Sequence, residues 1–363
     1  MRVVGLMSGT SFDGIDAAVA DIELEGEVLK LRPIGTLDAP YDAGLQDEIE
    51  AALPPAPTTF ETVCRLDTRI GQAFAALAAE AVERHGGELI VSHGQTVFHW
   101  VDDGRVEGTL QLGQPAWIAE RTGLPVVSDL RARDVAAGGQ GAPLVSFLDR
   151  LLLQGRPGTP AALNLGGIAN LTVGTLAFDV GPANALLDAA ARHFTGARYD
   201  EGGRLAASGT VIPALLERLL QDPYYARPAP KTTGKEHFHA RYVDYGDATG
   251  PDVLATLTRL TAQTVANAAR VHGVTELIAS GGGVRNPTLM AAMREALPVI
   301  TSDALGLPAQ AKEAYAFAVL GFLTYHGIPA TLPSATGARH ASVLGSVTPG
   351  SGSGSPPRVM RLG

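Results

Sequence analysis

A chain of 363 residues with 45% hydrophobic content is long enough for two domains, each with a sizeable core. A formal net charge of −9 argues against nucleic acid as a partner. A single cysteine excludes an internal disulfide framework, and no stretch approaches the ~20 apolar residues that span a bilayer.

With no membrane segment and no export signal expected, the chain reads as soluble and cytoplasmic. The first element is an apolar stretch, Val3-Val4-Gly5-Leu6, and a second, Ile15 to Val19, follows closely. Both read as strands flanking a tight turn. Between them lie Ser8, Gly9, Thr10, Ser11, Phe12, Asp13 and Gly14, and Asp16 stands at the start of the second. Glycines let a backbone approach a ligand, turn amides form anion-binding nests, and carboxylates hold a hydrated divalent cation. An ordinary glycine-rich hairpin has the same outline.

Pro54-Pro55-Ala56-Pro57 marks a surface loop. Ile70, Phe74, Leu77, Ala81 and Val82 then make a helical stripe ending at His85-Gly86, with Cys64 expected as a buried thiol beside Leu66. The buried strand Leu89 to Val91 delivers Ser92-His93-Gly94-Gln95-Thr96 to its C-terminal end. His93, Gln95, Arg131 and Arg133 offer planar donors suited to sugar hydroxyls and carboxylates. A charged loop with an internal pair between arginine and Asp134 fits equally.

The second half repeats the pattern. Ala161 to Leu165, Gly166-Gly167 and Ile168 to Val173 again read as strand, glycine turn and strand. The stripe Leu257, Leu260, Thr264, Ala268, Val271 again ends at His-Gly, before a strand Glu276 to Ser280 and the triplet Gly281-Gly282-Gly283. That triplet admits an adenine or ribose, although a strand-to-helix turn before Leu289–Leu297 needs no ligand. Asp179 is read as ending a short apolar strand before a Pro-started helix. It is a candidate general base, or merely an orienting group of the turn. Glu313 opens an apolar helix, Ala314–Leu323, where an acidic side chain favours the helix N-terminus. The Gly/Ser/Pro-rich run from Pro349 to Pro357 reads as a flexible tail.

Strands alternating with helices give an α/β class, and their doubling suggests two similar domains. Seven segments in order carry a resemblance. They are Leu6 to Asp16, Ser92 to Thr96, Gly138-Gly139-Gln140-Gly141-Ala142-Pro143, Phe178 to Pro182, Lys231 to Glu236, Gly281 to Pro287, and Thr336 to Arg339. Together they resemble the 1,6-anhydro-N-acetylmuramic acid kinase family, of the sugar kinase, chaperone ATPase and actin superfamily. The resemblance implies a two-domain actin-like ATPase fold with duplicated ribonuclease H-like domains and an interdomain active-site cleft. Domain I is expected over 1–132 plus about 336–363, and domain II over 133–335.

The same resemblance implies ATP and Mg2+, and a reaction in which water opens the 1,6-anhydro bridge while the 6-oxygen takes the γ-phosphoryl group. It assigns Gly9, Thr10, Ser11, Phe12, Asp13, Gly14, Ile15 and Asp16 to the phosphates, with Asp16 at the metal. Gly166, Gly167, Gly281, Gly282, Gly283 and Asn286 complete the nucleotide residues, and Asp179 becomes the base that activates water. His93, Gln95, Arg131, Arg133 and Glu313 are expected at the sugar, and a homodimer is implied. Val180 and Ala183 stand where the family more often has Thr or Cys and a Gly, and Ala132 interrupts a common arginine triplet.

Three other readings compete, one of them a chaperone-like ATPase, which would need a separate client-binding domain. A related kinase would share the ATP turns without consuming water. A sugar-responsive repressor would need a basic helix-turn-helix segment, for which the sequence ahead of the first strand leaves no room.

Overall fold

The computed structural model describes residues 1–9, 12–234 and 237–351. Thr10 and Ser11 of the first turn, Lys235 and Glu236, and the tail from Gly352 lie outside the described residues.

The chain divides into two compact units. The first comprises Met1–Gly141, Ala314–Thr331 and the chain from Ala338 on. It opens with β1 (Arg2–Ser8), β2 (Gly14–Glu25) and β3 (Val28–Pro40), followed by α1 (Ala43–Ala52) and α2 (Phe60–His85). Then come β4 (Leu89–Asp102), β5 (Arg105–Leu112), α3 (Pro115–Thr122), β6 (Val126–Ser128) and α4 (Ala132–Ala136).

The second unit comprises Ala142–Glu313 and Leu332–Gly337. It holds α5 (Ser146–Leu153), β7 (Pro160–Leu165), β8 (Ile168–Val173), β9 (Leu176–Pro182) and α6 (Asn184–Thr195). Short helices α7 (Arg204–Ser208), α8 (Pro213–Leu220) and α9 (Pro223–Ala226) lead to α10 (Gly250–Val271), β10 (Glu276–Ser280), α11 (Pro287–Arg294) and β11 (Val299–Thr301). The chain's last elements are α12 (Lys312–Tyr325), which from Ala314 on belongs to the first unit, α13 (Pro333–Thr336) in the second, and β12 (Ser346–Thr348) in the first.

The two sheets share one topology. In the first unit the order is β12-β6-β4-β1-β2-β3, with β5 on β4; in the second it is β11-β10-β7-β8-β9. Each has three antiparallel strands in meander and two strands parallel to the first of them; the first unit adds β5 on β4 and β12 on β6, both antiparallel. The doubled pattern of glycine turn, helix and strand is therefore a doubled sheet. The central strand β7 is buried almost throughout, as a strand covered on both faces must be.

Helix α2 forms for legible reasons. Thr59 caps it by accepting from the Thr62 amide, and Ile70, Phe74, Leu77 and Ala81 present one buried stripe. Full burial of a side chain such as Phe74 or Ile70 contributes ~1.5–3 kcal/mol. In the second unit Thr249 caps α10 in the same way, through the Asp252 amide.

Several expectations are corrected. Cys64 is exposed: it sits two residues from Leu66, hence well around α2 from the buried stripe. Val271, at the last turn of α10, is 80% exposed, where the helix has run past its core. The helix expected over Leu289–Leu297 ends at Arg294, and Pro182 belongs to β9, so Asn184 opens α6. Asp179 lies inside β9 and does not end it.

The expected domain boundaries also move. Residues 133–141 and 314–331 pack with the first unit. There the Tyr315 hydroxyl donates to the Gly35 carbonyl at 3.2 Å, and the Phe317 ring lies 4.5 Å from that of His93. Among the described residues no helix is long and apolar enough to cross a membrane.

Candidate active site

In the first unit the glycine turn links two antiparallel strands, with Met7 opposite Asp16 and Asp16 opposite Asp38 on β3. Asp13, Asp16 and Asp38 are exposed. Like charges directly opposed on neighbouring strands repel, so this edge favours a cation. Among the described residues no group of three or more His, Cys, Asp or Glu is placed to hold a metal ion, so the Asp16 edge fits the mode in which one or two carboxylates and substrate phosphates share Mg2+. Phe12 takes a left-handed conformation (φ 55°) and packs its ring on the core, anchoring the turn.

Gln95 fixes the turn from beneath. It is fully buried, its amide nitrogen donating to the Gly9 carbonyl at 3.0 Å and to the Thr96 carbonyl at 3.2 Å. The Ser8 hydroxyl lies 2.7 Å from the Gln95 side-chain oxygen and 2.6 Å from the Gly14 carbonyl. A register shift between β1 and β4 makes this reach possible, since Leu6 pairs with Ser92 but Ser8 with Gln95. Gly94 sits in that irregularity at φ 72°, and a Cβ there would come within 2.7 Å of the Leu112 carbonyl oxygen. Irregularities of this kind re-aim side chains beside active sites.

His93 and Arg131 form one network. The buried imidazole donates from Nδ1 to the Gly94 carbonyl (2.7 Å), leaving Nε2 to accept from Arg131 Nε at 2.9 Å. Burial, helped by the Arg131 charge, holds the His93 pKa well below its usual value. Arg131 also donates to the Gly141 carbonyl at 2.6 Å. Asp134 is fully buried and accepts from the Gly141 amide, whereas Arg133 is exposed and stands apart from this network. Arg339 donates its own amide to the Ala137 carbonyl and, with Arg105, Thr109 and Gly138, lines a cavity of about 500 Å³.

In the second unit the Gly166 and Gly167 carbonyls accept from the amides of Ala183, Asn184 and Ala185, so this turn starts α6. Across the sheet Asn164 faces Asn170, and Asn170 faces Asp179. Val180 is the extra residue of a bulge in β9, since Ala169 pairs with Gly181. Asp179 is held by the segment after α9. Its amide donates to the Lys231 carbonyl (2.9 Å), and its Oδ2 accepts from the Thr233 amide (2.9 Å).

Glu313 at the start of α12 accepts from Asn164 Nδ2 at 2.9 Å. Its neighbour Lys312 makes a buried 2.5 Å pair with Asp149, which also accepts from the Thr172 hydroxyl. Gly281 (φ 85°) abuts the end of β7, where a Cβ would lie 2.5 Å from Asn164 Oδ1. Gly282, by contrast, has only Asn184 at 4.0 Å. Asn286 caps α11 by accepting from the Leu289 amide, and its side chain closes on Gly203.

A family model described as anhydro-N-acetylmuramic acid kinase matches residues 1–350. A protein of that name from Streptomyces coelicolor is 63% identical, covering 100% of this chain and 99% of its own. This chain belongs to the anhydro-N-acetylmuramic acid kinase family.

Proteins of the same name from Streptomyces avermitilis (63% identity, 99% of this chain, 97% of the relative) and Rhodococcus erythropolis (57%, 97% and 95%) agree. The 2-hydroxyisocaproyl-CoA dehydratase activator of Clostridium difficile is a distant structural likeness, with TM-score 0.42, 15% identity, and coverage of 89% of this chain and 94% of that one. It adds nothing to the family assignment. Within the family chain, sequence reasoning passed over Asp38, Asn164, Asn170 and Gly203. Asn164 and Asn170 were within reach, because a hairpin centred on Gly166-Gly167 sets them opposite one another. Asp38 needed the β2–β3 register, which a single sequence does not fix.

Proposed function

We propose that this kinase uses ATP to open the 1,6-anhydro ring of 1,6-anhydro-N-acetylmuramic acid and to phosphorylate the released 6-oxygen. The product is N-acetylmuramic acid 6-phosphate, formed in the recycling of cell-wall peptidoglycan. Full-length identity of 63% to a relative of that name carries the reading.

Asp179 acts as the base. Its carboxylate takes the proton of a water that attacks the anomeric carbon, the bridging bond to the 6-oxygen breaks, and that oxygen attacks the γ-phosphate. The Thr233 amide on Oδ2 supports this role by fixing the carboxylate. Neutral Asn170 opposite Asp179 adds no competing charge.

The turn from Gly9 to Asp16 receives the phosphates of ATP, with Gln95 holding the turn's shape. Asp13 and Asp16 would hold Mg2+, which supplies charge neutralisation to the transferring phosphoryl group. Gly166, Gly167 and Gly281 to Gly283 form the nucleotide-side backbone of the second unit, with Asn286 setting the turn as a cap. His93, Arg131, Arg133 and Glu313 serve the sugar. Arg131 offers the guanidinium fork for the lactyl carboxylate, and neutral His93 orients it.

The protein works as a cytoplasmic homodimer, which sedimentation of the full chain tests. The reaction itself is tested by incubating the anhydro sugar with ATP and Mg2+. One ADP and one new reducing end per phosphorylated sugar are expected, and ADP release without a sugar phosphate contradicts the reading.

A further inference from the structure

The segment from Tyr224 to Thr233 is a strap around Asp179, tied to its backbone on both sides and to its carboxylate. The Tyr224 hydroxyl donates to the Asp179 carbonyl at 2.8 Å. The Asp179 amide donates to the Lys231 carbonyl, and the Thr233 amide donates to Oδ2, each at 2.9 Å. Strand β9 is an edge of its sheet, so the strap supplies partners that a further strand would otherwise give.

The strap is itself pinned at its two ends. Lys231 donates its ammonium to the Tyr224 carbonyl (3.0 Å) and the Tyr225 carbonyl (3.2 Å), and lies 4.5 Å over the Tyr224 ring. The short helix α9 that carries Tyr224 is capped by Asp222, whose Oδ1 accepts from the Tyr224 amide at 2.8 Å. Asp222 Oδ2 accepts from the Tyr242 hydroxyl at 2.7 Å and lies 2.9 Å from His237 Nε2. Tyr224 is only 4% exposed, and burial together with the Asp179 charge pushes its phenol above the usual range, so it stays a donor.

We infer that Tyr224 and Lys231 are positioning residues that act through Asp179, holding its carboxylate in the orientation that takes the proton from water. Neither side chain needs to touch substrate. The inference rests on the general-base reading of Asp179. A displaced base loses rate steeply because proton transfer demands hydrogen-bond reach, whereas nucleotide binding is untouched.

The test is a kinetic cycle on the full chain with ATP, Mg2+ and the anhydro sugar, using Tyr224→Phe, Lys231→Met, Asp179→Asn and each double variant with Asp179→Asn. Tyr224→Phe keeps the ring and removes one hydrogen-bond donor, and Lys231→Met keeps the stem on that ring while removing the ammonium's donors and its charge together. Expected is a roughly tenfold lower kcat for each strap variant, with KM for ATP within about twofold. In the Asp179→Asn background the further loss vanishes, because the strap no longer has a base to aim. Unchanged kcat in both strap variants, or the same tenfold loss with and without Asp179, overturns the inference and leaves the base assignment standing. Wild-type activity in Asp179→Asn instead sinks the base assignment and the strap with it.

Discussion

The same cross-strand row is written twice with different chemistry. In the first unit it runs Met7, Asp16, Asp38 across β1, β2 and β3; in the second it runs Asn164, Asn170, Asp179 across β7, β8 and β9. Each row stands at the third residue of its second strand, just past the glycine turn. One scaffold therefore offers two outcomes. The first row opposes two exposed carboxylates, an arrangement that favours a cation, and the second sets one carboxylate beside two neutral amides, the row that carries the proposed base.

The sharpest way to break the comparison is Asp179→Asn. Shape is kept, the proton acceptor is lost, and kcat should fall ~10²–10⁴-fold in a steady-state assay. An effect below tenfold would leave the second row without the base that sets it apart from the first.

Lys312→Met tests what holds Glu313 in the second unit. It leaves the Asp149 carboxylate buried and unpaired, and should cost about 3–5 kcal/mol in a denaturant titration. Adding Asp149→Leu should recover most of that loss, since an apolar pair replaces the ionic one.

Gln95→Leu attacks the first turn alone. The Gly9 carbonyl loses the Gln95 amide and the Ser8 hydroxyl keeps only the Gly14 carbonyl, so stability should fall by ~1–3 kcal/mol and KM for ATP should rise, while any effect on sugar KM is smaller.

The pH dependence of stability reports on His93, with a smaller contribution of the same sign from His99, whose pKa burial also lowers. The folded pKa of His93 is depressed, so above its unfolded value of about 6.5 both states are neutral and nothing is lost. As pH falls below that value the unfolded state takes a proton the folded state refuses. Stability should then decline by up to about 1.4 kcal/mol per pH unit. His93→Gln should flatten that slope between about pH 7 and pH 5; an unaltered slope would mean another group carries it.

The smallest effect sharpens the charge argument. Asp16→Asn should remove the charge that opposes Asp38 on the neighbouring strand. It should also raise the Mg2+ concentration needed for half-maximal activity.

Much of this was legible in the sequence because it is local. Strand, glycine turn and strand, and the stripes of α2 and α10, follow from periodicity and capping residues within a few positions of one another. The doubling was legible because two local patterns recur in order. What escaped is non-local. Asp38 meets Asp16 only through a β2–β3 register that includes an irregularity at Val19, and no spacing rule supplies it. The tie between Tyr224 and Asp179 spans 45 residues. Cys64 failed for a different reason, since apolar neighbours in sequence lay around the helix from it. Gln95 was found as a residue but not as a device: its amide is committed to the turn it supports.

The most direct measurement of the central claim is mass spectrometry of the sugar product formed in heavy-oxygen water with ATP and Mg2+. The account predicts a sugar phosphate carrying one solvent oxygen, and a steep fall in its rate of formation in Asp179→Asn. A sugar phosphate without solvent oxygen would contradict it, leaving a simple kinase in which Asp179 activates no water.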